Sequence, residues 1–123
     1  MKFTQLSNQV IGCAIEVHKN LGPGLLESTY EKCLAYELQT HHINFTLQHP
    51  LPVTYKNVSI DCAYRIDILV DNQIILELKS VDEIKNIHQA QLITYMKLAK
   101  IKYGFLINFI TTKLKNGLKS FIL

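Results

Sequence analysis

Arg65-Ile66-Asp67-Ile68-Leu69-Val70-Asp71-Asn72-Gln73-Ile74-Ile75-Leu76-Glu77-Leu78-Lys79 reads as two strands joined by a short polar turn. β-Branched and leucine side chains dominate both runs, and Asp71, Asn72 and Gln73 interrupt them with turn-forming residues. If those three residues form the loop, Val70 pairs with Ile74 and Asp67 lies directly opposite Glu77. Alternate strand residues share a face, so Arg65, Asp67, Glu77 and Lys79 fall on one side. Ile66, Ile68, Val70, Ile74, Leu76 and Leu78 fall on the other, which is therefore the predicted core side. A two-residue loop would shift the register and separate Asp67 from Glu77, so the constellation depends on that loop.

Two acids held opposite each other cost roughly a few tenths to 1 kcal/mol, and more if partly buried, unless something neutralises them. A divalent cation does so, and hard cations such as Mg2+ prefer carboxylate oxygens and bound water. Lys79, two residues beyond Glu77 on the same face, is placed to orient an attacking water or to stabilise charge on a phosphate. Acid, acid and lysine are the parts of a phosphodiester hydrolase. The competing reading is a cross-strand ion-pair lattice of Arg65, Asp67, Glu77 and Lys79 on a solvated face, where such pairs contribute little. Spacing alone leaves both open.

Outward from the hairpin, the chain reads as a single α+β (α/β) domain, residues 1–123, in the order α-α-β-β-β-α-β-β around one mixed sheet. Residues 4–21 carry Leu6, Val10, Cys13, Ala14, Val17 and Leu21 at spacings of three and four, an amphipathic helix stopped by Gly22 and Pro23. A second helix follows Gly24 and runs to about residue 41, with Leu26, Tyr30, Cys33, Leu34 and Leu38 as its inner stripe. Residues 43–55 are extended, and Pro50 and Pro52 imply an edge position or a bulge. A third helix covers 86–100, then a buried strand 103–110, a turn at Asn116 and Gly117, and a last short strand ending at Leu123.

Composition is that of an ordinary globular protein: 123 residues, 48% hydrophobic and 19% charged, enough for one core without staples. Cys13, Cys33 and Cys62 form no CxxC pair, so they predict reduced thiols in a cytoplasmic protein. The opening MKFTQLSNQVIG lacks the pattern of a signal peptide, and no apolar run has the ~20 residues that span a bilayer, so no membrane association is expected. The net charge of +3 is small but uneven. Up to Leu78 acids outnumber bases; from Lys79 onward eight lysines face only Asp82 and Glu83. That asymmetry suits a polyanion held beside an acidic metal site, and equally a solvated lysine-rich face.

Asp67, nine residues, Glu77, one residue and Lys79 together resemble the signature of the PD-(D/E)XK nuclease superfamily, the restriction-endonuclease-like fold. Gly24-Leu25-Leu26-Glu27-Ser28-Thr29-Tyr30 resembles the name-giving motif of the GxxExxY protein family within it. Gln91-Leu92-Ile93-Thr94-Tyr95 is similar to the QxxxY element of its recombination-exonuclease branch. The resemblance implies a metal-dependent nuclease with DNA as the preferred nucleic-acid partner and Mg2+ or Mn2+ as cofactor. Asp67 and Glu77 would be metal ligands, Lys79 the catalytic lysine, and Glu27 an acid completing the metal site from a helix. Gln91 and Tyr95 would lie near the metal or the phosphate backbone. The superfamily's name-giving proline is absent, Ile66 standing before Asp67.

Each accessory residue also has a plain explanation. With Gly24 as N-cap, Glu27 would cap the second helix and favour its dipole. Tyr30 reads as a core or boundary aromatic rather than a catalytic group, and Tyr95 as packing at the core's edge, four residues after Gln91 on one helical face that also carries His88. A rival function is a catalytically inactive nuclease-like module that binds nucleic acid or a protein partner. The domain carries no separate recognition unit, so a homodimer or a larger complex would supply further surface.

Overall fold

The computed structural model describes residues 4–123; residues 1–3 of the predicted domain lie outside the described part. Helix α1 (Gln5–Leu21) starts at Thr4, whose hydroxyl accepts from the Ser7 N–H at 3.0 Å. It ends at Gly22, where φ of +72° turns the chain and the N–H returns to His18 O at 2.7 Å. Helix α2 (Glu27–Thr40) has Leu26 at its N-cap with no side-chain bond, so Glu27 is the first residue of the helix. The capping role built on Gly24 is thereby corrected: Gly24, at φ +101°, lies in the connection, and Glu27 is left free to point elsewhere. Leu26 is largely exposed rather than part of the inner stripe, while Tyr30, Leu34 and Leu38 are fully buried.

Tyr30 fixes this connection. Its hydroxyl donates to Gly22 O at 2.6 Å and accepts from the Leu25 N–H at 3.1 Å, and its ring stacks on Phe109 with centroids 4.2 Å apart. Tyr30→Phe keeps the stack and strips both bonds, so urea denaturation is expected to show a loss of about 1–3 kcal/mol.

The extended stretch after α2 divides into β1 (Phe45–Pro50) and β2 (Val53–Tyr55), and β2 pairs with an unforeseen β3 (Val58–Ile60) in a separate two-stranded ribbon. The predicted hairpin is β4 (Arg65–Val70) and β5 (Ile74–Lys79); α3 (Asn86–Ala99), β6 (Tyr103–Asn108) and β7 (Leu118–Ile122) follow. Five strands order as β1-β4-β5-β6-β7, with β1 at the edge as its proline demands. β5 and β6 are parallel, joined through α3 as a crossover, and the other neighbours are antiparallel.

Both faces of the sheet are covered, which corrects the expectation of one core side. Val10, Val17, Leu34, Leu38, Ile68, Val70, Ile74, Leu76 and Leu78 form one cluster between the sheet and α1 and α2. Ile66, Leu69, Ile75, Leu92, Tyr95, Met96 and Leu106 form a second beneath α3. Central strands buried on both sides carry near-continuous apolar runs, as IILEL and GFLI do. Among the described residues, no helix is long and apolar enough to cross a membrane.

Candidate active site

Asp67 stands where the sheet's ladders break. The three-residue loop holds, with Val70 opposite Ile74, and pairing runs through Leu69↔Ile75 to Ile68↔Leu76. There it stops: the Asp67 Oδ2 accepts from the Leu78 N–H at 2.8 Å, so a carboxylate replaces the next rung. On the other flank, β1 pairs at Leu47↔Ile68 and His49↔Ile66 but skips Gln48, which sits at φ +48°. Left-handed backbone at a non-glycine residue costs of order 1–3 kcal/mol and persists only where its surroundings impose it. Alternation breaks here too, since Ile66 belongs to the cluster under α3 and Ile68 to the cluster under α1 and α2. Ile66 therefore does not share a face with Ile68.

Glu77 is buried, with 8% of its surface exposed, and its Oε1 has no hydrogen-bond partner among the described residues. Its carboxyl is pushed up to about 9, first by desolvation and then by the Asp67 charge and hydrogen bond; Lys79 and the Asp67 backbone pull the other way. This disposes of the solvated ion-pair lattice. Arg65 turns to the Tyr64 carbonyl at 2.8 Å, and Glu77 lies out of water beside a like charge. Lys79 follows at the end of β5, half-buried, with its carbonyl accepting from the Phe109 N–H at 2.9 Å.

Glu27 and Asp67 line one cavity of about 190 Å3 together with Ser28, Glu31, Gln48 and Leu78. Within it Glu27 Oε1 accepts from the Ser80 N–H at 3.3 Å, tying the start of α2 to the residue after Lys79. Glu31 was not foreseen. Burial pushes its carboxyl up, Gln48 donates to it at 2.6 Å, and the Asp67 charge raises it further. Only the one-turn spacing Glu27 to Glu31 pointed to it in the sequence.

On the α3 side Gln91 Nε2 donates to Tyr95 Oη at 2.9 Å, the four-residue spacing closing as a bond. Tyr95 is nearly buried, and its hydroxyl is raised by desolvation, against the Gln91 bond, with Glu77, Tyr64 and Asp67 adding to the rise. Tyr95 packs with Ile75, two residues before Glu77, on the sheet face opposite α2. His88 takes no part: its Nδ1 accepts from the Lys85 N–H at 3.0 Å and finishes the start of α3.

Asn108, also unforeseen and 3% exposed, holds the segment after β5 in place. Its side chain accepts from the Val81 N–H at 3.2 Å and donates to the Val81 carbonyl at 2.8 Å. Asn108→Ala leaves both groups without their partner, so thermal denaturation is expected to show a loss of about 2–3 kcal/mol.

The donor set fits a hard divalent cation. Magnesium is commonly held by one or two carboxylates and completes its shell with water and substrate oxygens. Asp67 and Glu77 offer two, one with an oxygen that none of the described residues satisfies. Among the described residues, no group of three or more His, Cys, Asp or Glu side chains is placed to hold a metal ion.

A five-stranded mixed sheet flanked by helices on both faces, with acid, acid and lysine near the ends of two adjacent central strands, defines a restriction-endonuclease-like fold. Residues 4–121 match the family model of the PD-(D/E)XK nuclease superfamily, and the chain belongs to that superfamily. No match was found among curated proteins, and none among solved structures.

Proposed function

We propose that this chain is a metal-dependent nuclease that hydrolyses phosphodiester bonds, with Mg2+ or Mn2+ as cofactor and DNA as substrate. The observation that carries the proposal is the buried, unpartnered Glu77 oxygen beside Asp67, two residues before a lysine. Burying Glu77 beside a second acid is costly, and a cation bound between the two carboxylates offsets that cost. Bound there, the cation supplies Lewis acidity toward a phosphoryl oxygen. Asp67 and Glu77 hold it; Lys79 stabilises the charge that develops on the phosphate. Glu27 reaches the same cavity as Asp67 and completes the acidic lining from α2. Gln91 and Tyr95 are substrate-binding residues on the opposite side.

Within the superfamily we assign the chain to the GxxExxY family on Gly24, Glu27 and Tyr30. Two features support the assignment: Tyr30 clamps the turn that carries the motif, and Glu27 opens the helix facing Asp67. The choice of DNA rests on the QxxxY resemblance.

The test is calorimetric titration of Mg2+ and Mn2+ into wild type and Glu77→Ala, followed by a nuclease assay on the same samples. Binding and cleavage should both vanish in the variant. A wild type that binds neither metal, with DNA present as well as absent, would favour a non-catalytic module.

A further inference from the structure

On the α3 face lies an apolar groove of about 500 Å3. One wall is α3, through Ile87, Thr94 and Tyr95; the other is Val53, which opens β2, and Tyr64, from the segment between β3 and β4. Tyr64 is 44% exposed, yet its backbone is fixed, because its carbonyl accepts from both the Leu51 N–H at 3.0 Å and Arg65 at 2.8 Å. Its ring meets Tyr95 with centroids 6.0 Å apart and planes tilted by 59°, so the two aromatics brace one another in the groove wall. The groove thus presents an anchored aromatic ring beside Gln91 and Thr94.

We propose that this groove takes an unpaired nucleobase of the substrate, stacked on Tyr64, so that the enzyme acts on single-stranded or frayed nucleic acid rather than on intact duplex. The inference rests on the nuclease reading above and adds the substrate class. Three observations select this occupant. A base has a flat apolar face and polar edges, the chemistry that an exposed ring with neighbouring amide and hydroxyl groups receives. Tyr95 lines the groove and packs in one cluster with Ile75, and Glu77 lies two residues along β5 on the same strand face, so a strand whose phosphate lies at the acids brings a neighbouring base within reach. Duplex DNA, with its bases stacked inside, presents no free base to such a ring.

The ribbon continues the same surface. Tyr55, Val58 and Ile60 are all exposed on it, and Lys56 lies over the Tyr55 ring at 5.4 Å. A lysine and an aromatic at the ribbon's tip suit a strand that runs on from the groove, one for a phosphate and one for a base.

The test uses a single-stranded oligonucleotide containing 2-aminopurine and the matching duplex, bound in Ca2+ so that affinity is read without turnover. Stacking on Tyr64 should quench the probe, and the wild type should bind the single strand tighter than the duplex by about 10-fold or more. Tyr64→Ala should lose the quench and about 10-fold or more of that affinity. Tyr64→Trp should restore both. Equal affinity for single strand and duplex with no quench would overturn the inference, as would a Tyr64→Ala protein that binds unchanged but shifts its oligomeric state, which would make the groove a contact between copies. Cleavage of either substrate that needs Glu77 keeps the nuclease reading standing even if the base-stacking inference falls.

Discussion

Glu77→Gln is expected to make the metal-free protein markedly more stable at pH 8 while abolishing its cleavage activity. In the folded chain Glu77 holds its proton up to about pH 9, whereas its ordinary value is 4.5. Between those limits the unfolded chain binds fewer protons than the folded one, so stability falls as pH rises. The stabilising contribution is complete below about pH 4.5 and is lost progressively through that window. At 1.36 kcal/mol per unit, going from pH 5 to pH 8 costs roughly 3–4 kcal/mol. Glutamine has the same shape and no proton to lose. Thermal melts in EDTA should therefore show the wild type falling by about 10 °C or more between pH 5 and pH 8, with the variant nearly flat over that range. Adding Mg2+ at pH 8 should recover the wild type and leave Glu77→Gln where it was. A wild type whose metal-free midpoint rises through the same window would contradict the burial of Glu77 beside Asp67.

Lys79→Ala is expected to separate binding from chemistry. The lysine sits two residues beyond Glu77, half-buried, and its charge opposes the rise of the Glu77 carboxyl. Losing it removes a cation from the place where negative charge develops on the phosphate, an effect of about 100- to 1000-fold in turnover. The acids remain, so affinity for Mn2+ should change by less than about 10-fold. Single-turnover cleavage at saturating metal reads the first quantity and calorimetry the second. If turnover survives while metal affinity collapses, Lys79 shapes the acid pair and does not serve the phosphate.

Much of this site is legible in the sequence. The hairpin loop is readable because Asp71, Asn72 and Gln73 are the only polar run between two apolar strands, and the chain turns there with Asp71 and Asn72 both at positive φ. Gln91 and Tyr95 are readable because helical spacing of four makes neighbours. The fate of Ile66 is not, since a period of two cannot announce the point where strands part and a carboxylate replaces a rung. The β2–β3 ribbon is hidden by its turn: Lys56, at φ +48°, precedes Asn57, and lysine is not a turn signal. Burial of both sheet faces, with an acid inside one of them, depends on where α3 packs. Asn108 and Glu31 matter through contacts with residues 27 and 17 positions away, which local pattern does not encode.

The most direct test of the central claim is single-turnover cleavage of a labelled DNA strand by wild type and Asp67→Asn, in Mg2+, in Ca2+ and in EDTA. The substituted amide preserves the side chain's shape and leaves one carboxylate where two are required. Cleavage in Mg2+ by the wild type alone, reduced about 1000-fold or more in the variant and absent in EDTA, is the predicted result. Equal cleavage by the two proteins, or cleavage that persists in EDTA, would show that Asp67 and Glu77 are not the metal site of a nuclease.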